Sequence, residues 1–266
     1  MQLLHRSPVV STAALLFLAA LASAQTPPSP GSGRELLRVM RDTYDGRWFK
    51  TLIFAQATTT RDSTGKERAA TWYESLRYTA ARGTELRIDT GDPAAGNGVL
   101  YSPDSLWVFR GGKQVAVRAG GNRLLPLIEG VYVQPVERTV QELASTGVDL
   151  TRPVVRDQWR GRPVWIAGAV VTGDTTSPQF WVDVETKALV RGIYSPVAGA
   201  PVMDMRLDSL VATGGGWLAT RCEFWIAGKL AQTEEYHDWR TNVDLSPGLF
   251  DPATWSSAPH WARDPR

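Results

Sequence analysis

The sequence predicts a mainly β protein with a few helices, its strands running antiparallel in one barrel-like sheet. Three observations carry this. From Trp48 onward, β-branched and aromatic runs recur with a period of two. Short links of Gly, Asp and Asn separate them, as expected of hairpins. With Cys222 as its lone cysteine the chain forms no internal disulfide, so an ordinary core must hold it, and about 240 residues are enough for one.

The chain opens on a basic start at His5 and Arg6, an apolar run from Val9 to Leu21, and Ala22-Ser23-Ala24. That order describes a cleavable secretory signal peptide over residues 1–24. The apolar run is shorter than the roughly 20 residues of a spanning helix. The residue after the cut is Gln25 and not Cys, so it offers no thiol for lipidation. The mature chain is therefore expected in the periplasm. It carries 28 basic and 27 acidic residues, a balance with no electrostatic footprint for nucleic acid.

Residues 25–33 read as a mobile Pro/Gly/Ser tether. Ser32 and Glu35 have capping-box spacing, and Leu36, Met40 and Tyr44 with Leu37 beside them form one face of a helix from Arg34 to Tyr44. Strands follow near Trp48–Thr60, Ala69–Ala80, Glu85–Thr90, Gly98–Ser102, Ser105–Phe109 and Lys113–Arg118. A second set lies near Val154–Trp159, Arg162–Val171, Gln179–Asp183, Leu189–Ser195, Met203–Ala212, Trp217–Ile226 and Lys229–Trp239. Between the sets the pattern turns helical. Pro135 stands as a first helical residue, Val136, Val140, Leu143 and Ala144 form an apolar face, and Gly147 is a stop. Leu124 to Ile128 is a second apolar segment. Two such pieces need an apolar surface to cover, and one face of the sheet supplies it.

Residues suited to catalysis are sparse. The mature chain has His237 and His260, the latter in an expected loose tail, and neither has a second histidine or a cysteine at ligand spacing. No nucleophile elbow or phosphate loop occurs. Cys222 alternates with Thr220, Phe224 and Ile226, which suits a small buried hydrophobe. Asp204, Asp208, Glu234 and Glu235 read as a solvated outer face. No enzyme, no cofactor and no metal site is expected. The stronger signal is apolar: 11 tryptophans, and strands such as Met203–Asp208 with Met203, Met205 and Leu207 on one side. Such a sheet either closes over a packed core or encloses an apolar cavity.

The order of elements narrows the choice. Leu100-Tyr-Ser-Pro-Asp-Ser-Leu-Trp-Val-Phe-Arg-Gly-Gly-Lys-Gln114 resembles the aromatic hairpin of periplasmic lipoprotein carriers of the LolA/LolB type. The segment Phe180 to Arg191 is similar to that superfamily's strand–turn–strand. Asn242-Val-Asp-Leu-Ser-Pro-Gly-Leu-Phe-Asp-Pro252 is similar to its closing signature. The resemblance covers 34–252 as one half-barrel domain and leaves 253–266 as a tail. It implies an incomplete antiparallel β-barrel curled around an apolar cavity with a helical lid. In that family the cavity takes lipoprotein acyl chains or lipid without covalent chemistry, and a lid is latched by an arginine, for which Arg47, Arg61 and Arg77 lie near the relevant strands. The superfamily also holds stress-signalling regulators and lipid transporters. The resemblance places Phe54, Trp107, Phe109, Leu127, Val140, Met203 and Met205 in the ligand-binding lining, in a monomeric carrier or sensor. Two alternatives stay open: an envelope protein-interaction or signalling module on the same fold, and an enzyme acting on lipid or glycan through Asp204 or Glu234.

Overall fold

A computed structural model describes residues 28–195 and 201–263, so the expected signal peptide and its cleavage site lie outside the described residues. Strands β1 (Thr51–Arg61), β2 (Glu67–Thr79), β3 (Gly83–Thr90), β4 (Gly98–Tyr101), β5 (Ser105–Arg110) and β6 (Lys113–Ala119) form one wing. The other wing holds β7 (Val155–Trp159), β8 (Arg162–Ala167), β9 (Gln179–Asp183), β10 (Leu189–Tyr194), β11 (Met203–Thr213), β12 (Gly216–Ile226) and β13 (Lys229–Thr241). All 13 belong to one sheet, in which β1 pairs with β13 at the centre and β6 and β7 are the free edges. Every pairing is antiparallel, so hairpins suffice as connections along each wing.

Register shifts at Ile53/Ala55, Val108/Phe109, Leu189/Arg191 and Phe224/Trp225 put extra residues into single strands. Such bulges raise local twist and bend a sheet, and their spread across both wings fits an incomplete barrel. Strand β8 ends at Ala167, earlier than the pattern predicts. Gly168 there has φ 92°, and an added Cβ would stand 2.4 Å from the Pro178 carbonyl, so the chain turns where only glycine fits.

Helix α1 (Gly33–Thr43) starts as its spacing predicts: the Ser32 hydroxyl accepts from the Glu35 amide at 3.2 Å, and the Glu35 carboxylate reaches back to the Gly31 amide. Its apolar line Leu36, Leu37 and Met40 is fully buried. Of the expected tether, Pro30 is buried and Ser29 bonds to Arg156. The connection from β6 to β7 has to pass from one free edge to the other, and it does so as a lid. A π-turn at Pro126–Gly130 runs into α2 (Val131–Val133), and α3 (Val136–Leu143) follows after Pro135. In α3 the buried line is Val136, Thr139 and Leu143, with Val140 half-buried and Ala144 exposed. The lid, α1 and one face of the sheet share a single core that includes Leu52, Phe54, Leu76, Leu127, Tyr132, Phe180 and Met205.

The opposite face has covers of its own. Residues 253–263 do not form a loose tail: Trp255 and His260 are buried, and Trp255 stacks on Phe109 with ring centroids 4.2 Å apart. Arg87 and Asp89 alternate with Leu86 and Ile88 on β3 and so point outward into this layer. The Arg87 guanidinium donates to Asp89 at 2.7 and 2.9 Å and lies 3.8 Å over the Trp255 ring, and His260 Nε2 is 3.0 Å from Asp89. Burial alone would raise the Asp89 carboxyl, but hydrogen bonds from Arg87 and His260 outweigh it and hold it below the usual carboxylate range. On the other wing, Arg191 lies between Trp159 and Trp181 at 4.6 and 4.7 Å and makes two 2.8 Å bonds to Asp204. Asp204 is thus on the outer face, half-buried in an ion-pair and aromatic ladder. His237 is exposed on β13.

Candidate functional site

Between the lid and the concave face lies an apolar cavity of about 80 Å³. Leu52 and Phe54 of β1, Leu76 of β2, Leu86 of β3, Leu207 of β11, Leu218 and Cys222 of β12 and Tyr236 of β13 form its floor. Leu125, Ile128, Glu129 and Tyr132 form its roof. Strand alternation explains the set: on β1 every second side chain points in, and Phe54 stacks on Tyr236 across the β1–β13 junction with centroids 4.3 Å apart.

The lid is held by aromatic and polar contacts at one end of this cavity. Trp48 donates its indole N–H to Glu129 at 2.8 Å and stacks on Tyr132 with centroids 3.7 Å apart. Gly216 makes room for that indole, since an added Cβ would lie 2.6 Å from its ring. Tyr132 then accepts from the Leu189 amide at 3.0 Å and donates to the Lys187 carbonyl at 3.2 Å, fastening the lid to the far wing. Arg47, Arg61 and Arg77 are engaged elsewhere: Arg47 with the Thr43 carbonyl, Arg61 with Glu67, and Arg77 with Glu85. Burial lifts the Glu129 carboxyl to about 8 despite the Trp48 bond, so at neutral pH it is mostly protonated.

Two more carboxyls point inward. Glu234, expected on a solvated face, is 6 % exposed; its carboxyl accepts from Tyr236 at 2.8 Å and Gln232 at 2.6 Å, and Cys222 donates to the Tyr236 hydroxyl at 3.3 Å. Glu74 lines the cavity at 7 % exposure. Burial raises both carboxyls, and each other's proximity adds to the rise at Glu74. Burial likewise pushes the Cys222 thiol up, which makes it a poor nucleophile. Among the described residues no three His, Cys, Asp or Glu side chains are grouped to hold a metal ion. Nor is any helix there long and apolar enough to cross a membrane.

The structure divides the residues the sequence singled out. Phe54 lines the cavity; Leu127 and Met205 are buried in the same core, and Val140 packs against it. Met203 is half-buried at a separate groove beside Tyr194 and Leu124. Trp107 and Phe109 lie on the opposite face, in the cluster under Trp255, because β5 is apolar on both sides and alternation alone does not choose between them. The sequence reading missed Trp48, Glu74, Glu129 and Tyr132. On β2, Trp72, Glu74 and Leu76 share one side of the strand, which was the available sign that Glu74 is interior.

No protein-family model and no curated protein matches the sequence. Solved structures do match. A domain from Vibrio parahaemolyticus assigned to outer membrane lipoprotein sorting superposes with a TM-score of 0.61 at 10 % identity, covering 84 % of this chain and 98 % of that one. A DUF1329 family protein from Desulfovibrio piger gives 0.60 at 14 % identity, covering 84 % and 97 %. A LolA superfamily protein from Nitrosomonas europaea gives 0.51 at 14 % identity, covering 80 % and 96 %. The fold is LolA-like. The open 13-stranded sheet with its helical lid is that architecture, and at these identities the likeness speaks for the fold alone.

Proposed function

We propose that this LolA-like chain is a periplasmic carrier or sensor that binds acyl chains of lipoproteins or lipids under its lid, without covalent chemistry. The observation that supports it is the apolar cavity roofed by the connection between the two free edges. A packed core would need no void there, and each acyl methylene withdrawn from water into it contributes about 0.8 kcal/mol. In the closed form the cavity offers only about 80 Å³, so a whole chain enters when the lid moves away. The lid is suited to that, being short helical pieces fastened chiefly by Trp48 and Tyr132.

Displacement of a fluorescent acyl probe tests the reading. The protein should bind the probe at one site per chain, with quenching of Trp48 and Trp217, which both line the cavity. Absence of saturable binding would overturn it. The exposed Val115 and Val117 on the free edge β6, at 58 % and 54 %, favour a second reading, an envelope protein-interaction module that adds a strand there. Lipid-independent capture of one envelope protein, lost when Val117 is replaced by Lys, would favour that reading.

A further inference from the structure

The cavity is apolar, but the polar groups it does hold are one-sided. Glu74 and Glu129 line it, and neither Arg nor Lys does among the described residues. The two carboxyls differ in one respect. Glu129 accepts from Trp48. Glu74 is 7 % exposed, and no described residue hydrogen-bonds or ion-pairs with its carboxyl, whose oxygens keep some accessible surface. A largely buried carboxyl that no protein donor reaches leaves its bond to water or to a ligand that brings a donor. The groups facing Glu74 make matters worse for it. Glu234 and Tyr236 approach from β13, Cys222 from β12 and Tyr101 from β4, none of them cationic, and the Tyr236 hydroxyl is already committed to Glu234.

We infer that the cavity is built for a chain ending in a primary amine, whose ammonium group takes up the bond that Glu74 lacks. This rests on the carrier reading above and names the class of ligand. An ammonium at Glu74 supplies donors to an acceptor that has none and pairs with the carboxylate once Glu74 gives up the proton that burial favours on it, while the alkyl part fills the space among Phe54, Leu76 and Leu86. An anionic head, carboxylate or phosphate, would find no Arg or Lys among the described residues that line the cavity. A neutral alcohol would provide a hydrogen bond without a charge.

Three probes of equal chain length decide the matter: octylamine, octanol and octanoate, each used below its micellar range, displacing a fluorescent reporter from the whole mature chain. Octylamine should bind at least about tenfold more tightly than octanol, as a charge-assisted hydrogen bond out of water predicts, and octanoate should be the weakest. In Glu74→Gln the amine should fall to the level of octanol in the same variant, and the ligand-free melting temperature should rise because the unmatched carboxyl is gone. If octanol binds but octylamine is no better, or octanoate ranks first, the inference is overturned and the carrier reading stands. If none of the three binds, the carrier reading fails and takes the inference with it. Should Glu74→Gln not fold, the ranking on the unmodified protein already decides.

Discussion

Trp48 and Glu129 are 81 positions apart in the chain, yet the indole N–H of the first donates to the carboxyl of the second at 2.8 Å, beneath a lid that Tyr132 fastens from the same side. The bond joins the entry to the central strand β1 with the crossing between the free edges. It is the structural equivalent of a latch, made here by a tryptophan and a glutamic acid.

Removing the donor should loosen the lid. In Trp48→Phe the Glu129 carboxyl is left buried without its partner, at a cost of about 1–3 kcal/mol. Hydrogen exchange should rise over 126–133 and at the Leu189 amide that Tyr132 holds, acyl-probe uptake should be faster, and exchange in β7 and β8 should be unchanged.

The same carboxyl gives the protein a pH dependence of definite sign. Glu129 moves from its ordinary 4.5 to about 8 on folding, so between those values the native state holds a proton that the unfolded chain has released. Stability therefore falls as pH rises through that window, by up to about 1.4 kcal/mol per unit for this group, and none of the contribution remains above its upper end. Glu74 and Glu234 act in the same direction. Denaturant unfolding at pH 5 and pH 8 should show the decline, and Glu129→Gln should flatten it.

Filling the cavity should separate ligand uptake from folding. Leu207 lines the floor of the cavity, and Leu207→Phe places a larger ring in the void. Overpacking elsewhere in a dense core costs about 1–3 kcal/mol; here the free volume takes up part of the ring. The expected outcome is a folded protein, by its circular dichroism and cooperative melt, with weakened probe binding.

The outer layer makes a stability prediction independent of ligand. Asp89, Arg87 and His260 have side chains with no exposure. Asp89→Asn leaves the buried guanidinium without its counter-charge and should cost roughly 3–5 kcal/mol in urea unfolding. The double variant Arg87→Met with Asp89→Leu should lose much less than the single one, because it removes both charges together.

Much of this fold was legible because period-two patterning and glycine turns are local signals. The strands of both wings, the capping of α1 by Ser32 and the helical insertion between β6 and β7 all follow from neighbours in sequence. The resemblance added how the sheet curls. What stayed hidden depended on which face of a strand turns inward. Leu106-Trp107-Val108-Phe109 is apolar on both sides, and only the docking of Trp255 makes Phe109 an outer-face residue. Gln232, Glu234 and Tyr236 carry no hydrophobic contrast with Thr233, Glu235 and His237, so the interior position of Glu234 was not readable. His260 looked like part of a tail because its partner Asp89 is 171 positions away.

The central claim is that the cavity under the lid holds an acyl chain. Mass spectrometry of an organic extract, from protein purified without detergent, tests it most directly. The account predicts a lipid or lipopeptide bearing an acyl chain at close to one per protein. An extract that is empty, and stays empty after incubation of the protein with lipid, would contradict it.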